Sequence, residues 1–200
     1  KLDEAIWKDI SKSERSGFFG KTDVKLKTGK TKTLPNFTKR SRAYLEIQNG
    51  CDHSCTFCII PQGRGLSKSV ATDTILEKIN NLVDKGFKEI VLTGVDITCW
   101  GSDLSGNDKL GDLVIKILEK APDLPRLRLS SIDVSEMDDG LLHVFKTNKR
   151  IMPHLHLSLQ SGNNLILKRM KRRHSREQAI DLCKNLKAAR PELTFGADFI

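Results

Sequence analysis

Three cysteines lie close together in the segment NGCDHSCTFCIIPQGRG, which runs from residue 49 to residue 65. Cys51, Cys55 and Cys58 place three of the chain's five cysteines within eight residues. Three thiolates on one short loop can bind the same inorganic centre, and thiolates are the standard protein ligands of iron–sulfur clusters. We therefore favour a four-iron cluster at this loop, with one iron free for another ligand, as a catalytic zinc ion keeps an open position.

Three other interpretations of these cysteines stay open. A structural zinc ion needs four ligands, which the three thiols and His53 would supply, although such sites usually pair two separated ligand halves. A disulfide would leave one thiol over and needs an oxidising compartment. Inert burial is the third alternative, but free cysteines normally pack singly.

The chain is basic, with 34 Lys and Arg against 25 Asp and Glu and a formal net charge of +9. This charge favours a polyanionic partner such as RNA, DNA or an acidic membrane surface, and a solvated basic surface is the alternative. No run of about 18 apolar residues occurs, so we expect no membrane span. The odd number of cysteines and the lack of an apolar signal core favour a reducing cytoplasm.

Strand and helix patterns alternate after the basic segment that ends at residue 42. Strands are predicted at 43–48, 88–93, 126–131, 154–160 and 193–200. Helices with one apolar face are predicted at about 72–85, 110–118, 138–147 and 175–189, with Thr72 and Gly86 capping the first of them. This order is typical of a parallel α/β fold, whose chemistry lies at the carboxyl ends of the strands.

Several residues suited to ligand binding stand at the ends of the later predicted strands. They are Gly94, Val95 and Asp96 after the second strand, Ser131 at the end of the third, and Ser158 and Gln160 on the fourth. Alternation along a strand would place Ser158 and Gln160 on one face. A plain turn at Gly94 and a hydrogen-bonded polar pair inside a barrel are the alternatives.

Basic residues form two groups that could hold RNA phosphates in a salt-dependent way. Arg64 follows the cysteine loop, and the run LKRMKRRHSR contains Lys171, Arg172 and Arg173. A solvated helix face is the alternative for this run.

The spacing Cys51-x3-Cys55-x2-Cys58, with Phe57 before the last cysteine, resembles the signature of the radical S-adenosylmethionine (SAM) enzymes. The resemblance implies a [4Fe–4S] cluster whose open iron binds SAM, and an electron that cleaves SAM to a 5′-deoxyadenosyl radical. It implies an α/β fold, a partial (β/α) barrel of the radical SAM type. The three cysteines would then be the catalytic metal ligands. SAM would be bound by the following residues: Phe57, Gly94, Val95, Asp96, Ser131, Ser158 and Gln160.

The segments LTGVDI, RLSSIDVSEMDDGLL and HLHLSLQSGNNLILKRMKRRHS resemble the methylthiotransferase branch of these enzymes. CTFCIIP and HLHLSLQSG are most similar to the tRNA enzymes that convert N6-threonylcarbamoyladenosine to its 2-methylthio form. The resemblance implies a tRNA substrate and an electron donor protein. Action on isopentenyladenosine in tRNA or on a ribosomal protein is one alternative, and a zinc-stabilised RNA-binding module without catalysis is an alternative of another class.

The resemblance also implies a division of the chain. Residues 43–200 would be a radical SAM core that is incomplete at its C-terminus, truncated in or after the fifth strand. Residues 1–42 would be the tail of an N-terminal methylthiotransferase domain and a basic linker. We expect a second cluster in the full-length protein, on cysteines of that domain, and Cys99 and Cys183 do not match those positions.

Overall fold

Strands and helices alternate along residues 41–200, the part of the chain that the computed structural model describes. The strands are β1 (Arg42–Asn49), β2 (Lys68–Ser69), β3 (Glu89–Gly94), β4 (Arg126–Leu129), β5 (Ser131–Ile132), β6 (His154–Gln160) and β7 (Thr194–Phe199). The helices are α1 (Ile60–Arg64), α2 (Thr72–Asp84), α3 (Leu110–Lys120), α4 (Asp139–Thr147), α5 (Asn164–Arg169) and α6 (Arg176–Ala189). Except for its last two residues, the predicted tail and linker at 1–42 lies outside the described residues.

The strands form a curled half-barrel in two pieces. One sheet has the order β2-β1-β3-β4 and the other the order β5-β6-β7. Neighbouring strands pair in parallel, except that the short β2 runs antiparallel to β1. Only Ser130 separates β4 from β5, and a parallel bridge joins Leu127 to Ile151, so the chain passes directly from one sheet to the other. The predicted partial (β/α) barrel is confirmed.

One apolar core joins the strands to the helices. Alternate residues of β1, among them Leu45 and Ile47, are fully buried in the same cluster as Ile79 of α2 and Leu113 of α3. Burial of this apolar surface is the main source of stability for the fold. None of the helices within residues 41–200 is long and apolar enough to cross a membrane.

Local details differ from the sequence predictions. The predicted strand 126–131 is interrupted at Ser130, whose N–H donates to the carbonyl oxygen of Leu92 at 3.0 Å. The prediction that Thr72 caps α2 is wrong, because the capping position is Ala71 and no side-chain hydrogen bond is made there. Gly86 ends the helix as expected, with a φ of 90° that favours glycine. The short elements α1, β2 and α5 were not predicted from the sequence.

Two arginines satisfy carbonyl groups near the ends of helices. Arg150 Nη1 donates to the carbonyls of Ala121 at 2.9 Å and Leu124 at 3.2 Å, close to the end of α3. Arg190 Nη1 donates to the carbonyl of Phe145 in α4 at 3.2 Å. Carbonyls at helix ends otherwise lack intrahelical partners. Part of the chain's positive charge therefore holds the fold together.

A carboxylate at the amino end of β3 pairs with arginines from neighbouring strands. Glu89 is buried, and its carboxylate lies 2.9 Å from Arg42 Nε, 2.7 Å from Arg128 Nε and 3.3 Å from Arg126 Nε. The cluster ties β1, β3 and β4 together at this edge.

Candidate metal and cofactor site

The cysteine loop begins where β1 ends, at the carboxyl edge of the sheet. Gly50 makes the turn with a φ of 78°, and a Cβ added to it would lie 2.0 Å from the carbonyl oxygen of Leu66. Only glycine fits this position. The N–H of Cys51 donates to the carbonyl of Gly65 at 3.1 Å, which closes the loop at its base.

Contacts from two sides hold the loop in place. Asp52 Oδ1 accepts a hydrogen bond from the N–H of Ser67 at 2.8 Å, next to β2. On the other side, Thr56 donates its N–H to the carbonyl of Met170 and its hydroxyl to the carbonyl of Arg169, both at 3.2 Å. The loop is thereby fixed between β2 and the end of α5, and these contacts position its cysteines relative to the barrel.

Each of the three loop thiols is half-buried. Burial, with the nearby charge of Asp96, raises the pKa of Cys51 to about 11. The Cys51 thiol lies 3.6 Å from Asp96 Oδ2, and Cys55 Sγ lies 3.7 Å from Arg172 Nη1. Metal ions bind thiolates and displace these protons, so iron would replace the proton that Cys51 otherwise keeps.

A second group of donor atoms lies beside the loop. Within residues 41–200, ligand atoms of His53, Asp96, Cys99 and Glu136 lie within 4.8 Å of one another. His53 Nε2 is 3.0 Å from Asp96 Oδ2, and Cys99 Sγ is 3.0 Å from Glu136 Oε1. Burial and the two carboxylates raise the pKa of Cys99 well above its usual range. The ring of His53 thus contacts Asp96, Cys99 and Glu136, and a zinc site built from the three loop thiols and His53 stays an alternative interpretation.

Gln48 connects the ends of the first two long strands. Its side chain is buried, and its Oε1 accepts hydrogen bonds from the N–H groups of Val95 at 3.1 Å and Asp96 at 2.8 Å. Its Nε2 donates to the carbonyl of Gly50 at 2.8 Å. One amide thus positions both the base of the cysteine loop and the turn after β3.

Gly94 is required by close approach between these strands. A Cβ at this position would lie 2.6 Å from the carbonyl oxygen of Gln48 and 2.7 Å from Ile97 Cγ2. Any side chain would push the turn away from β1 and move Asp96.

Asp133 forms ion pairs with two of the basic residues that were predicted to bind RNA. Its buried carboxylate accepts hydrogen bonds from Arg172 Nη2 at 2.7 Å and Arg173 Nη2 at 3.2 Å. Burial alone would raise the pKa of Asp133, but hydrogen bonds from Ser135 and the charge of Arg172 together lower it. Arg173 also pairs with Glu136, so the second donor group is connected to this ion pair.

A comparison with known proteins decides the family. The model of the radical SAM superfamily matches residues 45–199. The chain belongs to the radical SAM superfamily. This confirms the family predicted from the cysteine spacing.

Curated relatives of this radical SAM chain include tRNA-modifying enzymes. It is 53% identical over 167 residues to the threonylcarbamoyladenosine tRNA methylthiotransferase MtaB of Rickettsia prowazekii, covering 84% of this chain and 40% of that protein. It is 37% identical over 193 residues to MtaB of Bacillus subtilis, covering 96% and 43%. The tRNA-2-methylthio-N(6)-dimethylallyladenosine synthase of Shouchella clausii is 36% identical over 191 residues, covering 93% and 36%. The chain therefore spans less than half the length of these relatives.

Solved structures share the fold of this radical SAM chain. The cobalamin-dependent SAM radical enzyme OxsB matches with a TM-score of 0.61 and 20% identity, covering 78% of this chain and 23% of that chain. The radical SAM methyltransferase TsrM of Kitasatospora setae matches with a TM-score of 0.62 and 15% identity, covering 78% and 30%. The partial barrel is therefore of the radical SAM type.

The loop fits the [4Fe–4S] cluster that, with SAM, serves radical SAM enzymes. Its three half-buried thiols are ligands of the right chemical type. Beside them lies the buried guanidinium of Arg172, whose Nε has no hydrogen-bond partner in the part of the chain that the structure describes. A cation in that place suits the negative charge that thiolate-bound clusters carry.

The structure places the predicted SAM-binding residues in different surroundings. Gly94, Val95 and Asp96 lie in the turn beside the cysteine loop, whereas Phe57 and Ser131 are exposed. The predicted alternation of Ser158 and Gln160 is wrong, because the register shifts before Gln160, which has a φ of 67°. The carbonyl of Ser158 accepts a hydrogen bond from Arg172 Nη2 at 2.6 Å.

The predicted RNA-binding residues also separate. Lys171 is exposed, and the exposed Arg64 donates from Nη1 to Asn49 Oδ1 at 3.4 Å. Arg172 and Arg173 form ion pairs with Asp133, and the side chain of Arg172 is only 9% exposed. Phosphate binding therefore remains a prediction for which Arg64 and Lys171 are the better placed residues.

Several residues of the site were not predicted from the sequence. Gln48, Asp133 and Glu136 had no assigned role, and Cys99 was considered only as a ligand of another cluster. Asp133 and Glu136 lie in the segment RLSSIDVSE directly after a predicted strand, which is a signal that could have been used. Gln48 gave no signal in the sequence, because its burial breaks the alternation of buried and exposed residues along β1. It lies at a register shift in the pairing of β1 with β3.

Proposed function

We propose that this chain is the radical SAM core of a tRNA methylthiotransferase that adds a 2-methylthio group to N6-threonylcarbamoyladenosine beside the anticodon. The observation that carries the reaction class is the three-cysteine loop held between β2 and α5 at the carboxyl edge of the barrel. The substrate is supported by the 53% identity to the Rickettsia prowazekii enzyme. A cytoplasmic location and an electron donor protein are part of the proposal.

Cys51, Cys55 and Cys58 are the residues that would hold the cluster. When bound, the cluster supplies the electron that cleaves SAM, and the released radical would take hydrogen from C2 of the modified adenine. Asp96 would accept a hydrogen bond from the ammonium group of SAM, and this role is supported by the hydrogen bond from its N–H to Gln48, which fixes its backbone beside the loop. The predicted contacts of SAM with Phe57, Val95 and Ser131, and with the strand β6, belong to the same proposal.

We propose that sulfur insertion also uses segments such as those by which the relatives exceed the matched length of this chain. We propose that the full-length protein supplies sulfur through a second cluster and draws the methyl group from a second SAM. Arg64 and Lys171 would contact tRNA phosphates near the mouth of the barrel. Phosphate contacts of this kind position a nucleic acid without reading its sequence.

Anaerobic reconstitution tests the cluster assignment. We expect about four irons and about four labile sulfides at the loop, and an electron paramagnetic resonance signal of the reduced protein that changes when SAM is added. Replacing Cys51, Cys55 or Cys58 by Ala should remove both the cluster and SAM cleavage. Cys183, which lies in α6 outside the loop, is the matched control, and Cys183→Ala should keep both. One zinc without sulfide, or SAM cleavage by a loop variant, would contradict the assignment.

A second experiment tests the substrate. A strain that lacks the gene should lose the 2-methylthio form of threonylcarbamoyladenosine from its tRNA, as measured by mass spectrometry of nucleosides. The Shouchella clausii relative supports a second candidate, isopentenyladenosine in tRNA. Loss of that methylthio nucleoside, or of a methylthio group on a ribosomal protein with tRNA unchanged, would replace the proposed substrate.

A further inference from the structure

A buried guanidinium faces one cysteine of the loop. The Arg172 side chain is 9% exposed, and its Nη1 donates toward Cys55 Sγ at 3.7 Å. We propose that Arg172 is a positioning residue that donates a hydrogen bond to the Cys55 thiolate and raises the reduction potential of the cluster bound there. This inference rests on the proposed function of the loop, since it needs a cluster at Cys55.

The guanidinium of Arg172 is held in one orientation by two oxygen acceptors in different parts of the chain. Its Nη2 donates to Asp133 Oδ2 at 2.7 Å and to the carbonyl of Ser158 at 2.6 Å. Asp133 is fixed in turn by the N–H of Ser135 at 3.0 Å and its hydroxyl at 2.7 Å. With Nη2 fixed by two oxygens, Nη1 stays directed at the sulfur of Cys55.

The same chain segment also holds the loop against Arg172. Thr56, the residue after Cys55, donates to the carbonyls of Arg169 and Met170. The backbone on both sides of the sulfur–guanidinium contact is therefore tied together. The contact between Arg172 and Cys55 is therefore fixed by hydrogen bonds on both sides, unlike a contact made by a long side chain on the surface.

Physical chemistry gives this contact a direction. Hydrogen bonds to ligand sulfurs and nearby charge are among the factors that set the potential of an iron–sulfur cluster. Reduction adds one negative charge, so a cationic N–H donor stabilises the reduced cluster more than the oxidised one. Arg172 would make the cluster easier to reduce by an electron donor, which is a different role from binding a tRNA phosphate.

Redox titration of the reconstituted protein tests the proposal, with the reduced-cluster signal followed by electron paramagnetic resonance. The signal of a variant that lacks all three loop cysteines is subtracted, so that only this cluster is measured. We expect Arg172→Met to lower the equilibrium constant for reduction at least tenfold, which is about 59 mV for one electron. Arg172→Lys, which keeps the charge, should shift it less. Arg169→Met removes an exposed charge from the same segment but keeps the carbonyl, and should leave the potential unchanged.

A spectroscopic measurement tests the contact in the unsubstituted protein, so its result does not depend on whether a variant folds and binds a cluster. With 15N-labelled arginine, the reduced cluster should show a 15N hyperfine coupling. The coupling should be absent from Arg172→Lys grown with the same label, because the lysine side chain carries none of it. Absence of any arginine nitrogen coupling in the unsubstituted protein would overturn the inference, even if Arg172→Met fails to fold.

The outcomes separate this inference from the proposed function. No cluster in the unsubstituted protein contradicts the function itself. A normal cluster with the same potential in Arg172→Met leaves the function intact and overturns only the role of Arg172. If that variant keeps its potential but binds tRNA with a weaker, less salt-dependent affinity, Arg172 is a phosphate ligand instead.

Discussion

The two edges of the parallel strands carry buried charge in different ways. At the amino edge, Glu89 has three arginine partners and the ionic cluster is complete within the chain. At the carboxyl edge, Glu136 Oε2 and Arg172 Nε are buried and have no hydrogen-bond partner among residues 41–200. Buried polar groups normally find partners, so the first edge serves stability, and the second is where the proposed cofactors would bind.

The largest expected effect on stability comes from breaking the amino-edge cluster. Glu89→Gln leaves three guanidinium groups without their carboxylate partner. Removing one partner of a buried ion pair lowers the free energy of unfolding by about 3 kcal/mol at the lower end of the usual range. Urea unfolding should show this loss, while iron content and the response to SAM stay unchanged. Arg42→Met should cost less than Arg128→Met, because their side chains are 44% and 24% exposed. Loss of the cluster in Glu89→Gln would mean that the two edges are coupled.

The converse change targets the carboxyl edge. Gly94→Ala places a Cβ about 2.6 Å from the carbonyl oxygen of Gln48, and such overpacking costs about 1–3 kcal/mol. SAM affinity should fall at least tenfold, because the turn that carries Asp96 must move. Equilibrium binding of SAM to the reconstituted protein measures this.

Gly63 provides the matched control for that substitution. An added Cβ there meets nothing within 4 Å, and the residue lies in α1. Gly63→Ala should keep or slightly increase stability, since alanine favours a helix more than glycine does. Equal loss of SAM affinity in both variants would contradict the role of close approach at Gly94.

Most of the fold could be predicted from the sequence because periodicity reports which residues are buried. The long elements, such as α2 and β6, were predicted within one or two residues. The break at Ser130 could not be seen, because it depends on a hydrogen bond to the neighbouring strand at Leu92. The helix α5 was interpreted as a basic patch, since six residues are too few for a clear helical period.

The site could be predicted only where spacing alone carries the chemistry. The cysteines of the loop were proposed from their spacing, whereas Asp96 was proposed from its place at a strand end and from the resemblance, and both assignments stay predictions. The roles of Gln48 and Glu136 depend on strands and turns that approach each other only in the folded chain. Net charge was the weakest guide, because a sequence cannot distinguish a buried guanidinium such as that of Arg172 from one on the surface.

The pH dependence of stability sharpens the comparison further. Burial alone would raise the pKa of Glu89, but the hydrogen bond and charge of Arg128, together with Arg42, lower it below the ordinary value of 4.5. The folded-state pKa is thus the lower one, so the cluster stabilises the fold above about pH 4.5, and this contribution is lost as the pH falls through the folded-state pKa. Unfolding measured between neutral and acidic pH should show less acid-induced loss in Glu89→Gln. An identical pH profile would contradict the assignment.

The smallest expected effect concerns the helix that holds the cysteine loop. Asn163 caps α5 by accepting hydrogen bonds from the N–H groups of Leu165 at 2.9 Å and Ile166 at 3.3 Å. Asn163→Ala should cost about 1 kcal/mol, as loss of a helix cap usually does. Because Thr56 is bound to the end of this helix, the variant should also release iron to a chelator faster.

Ser175→Ala is the control, because it removes the cap of α6, where Ser175 accepts from the N–H of Gln178 at 3.2 Å. Its cost to stability should be similar, about 1 kcal/mol, but α6 does not hold the loop and iron release should stay slow. If both variants release iron equally fast, the loss of iron results from the lower stability of the whole fold. Faster release in Asn163→Ala alone would locate the retention of the cluster in the contacts between the loop and α5, at the carboxyl edge of the barrel.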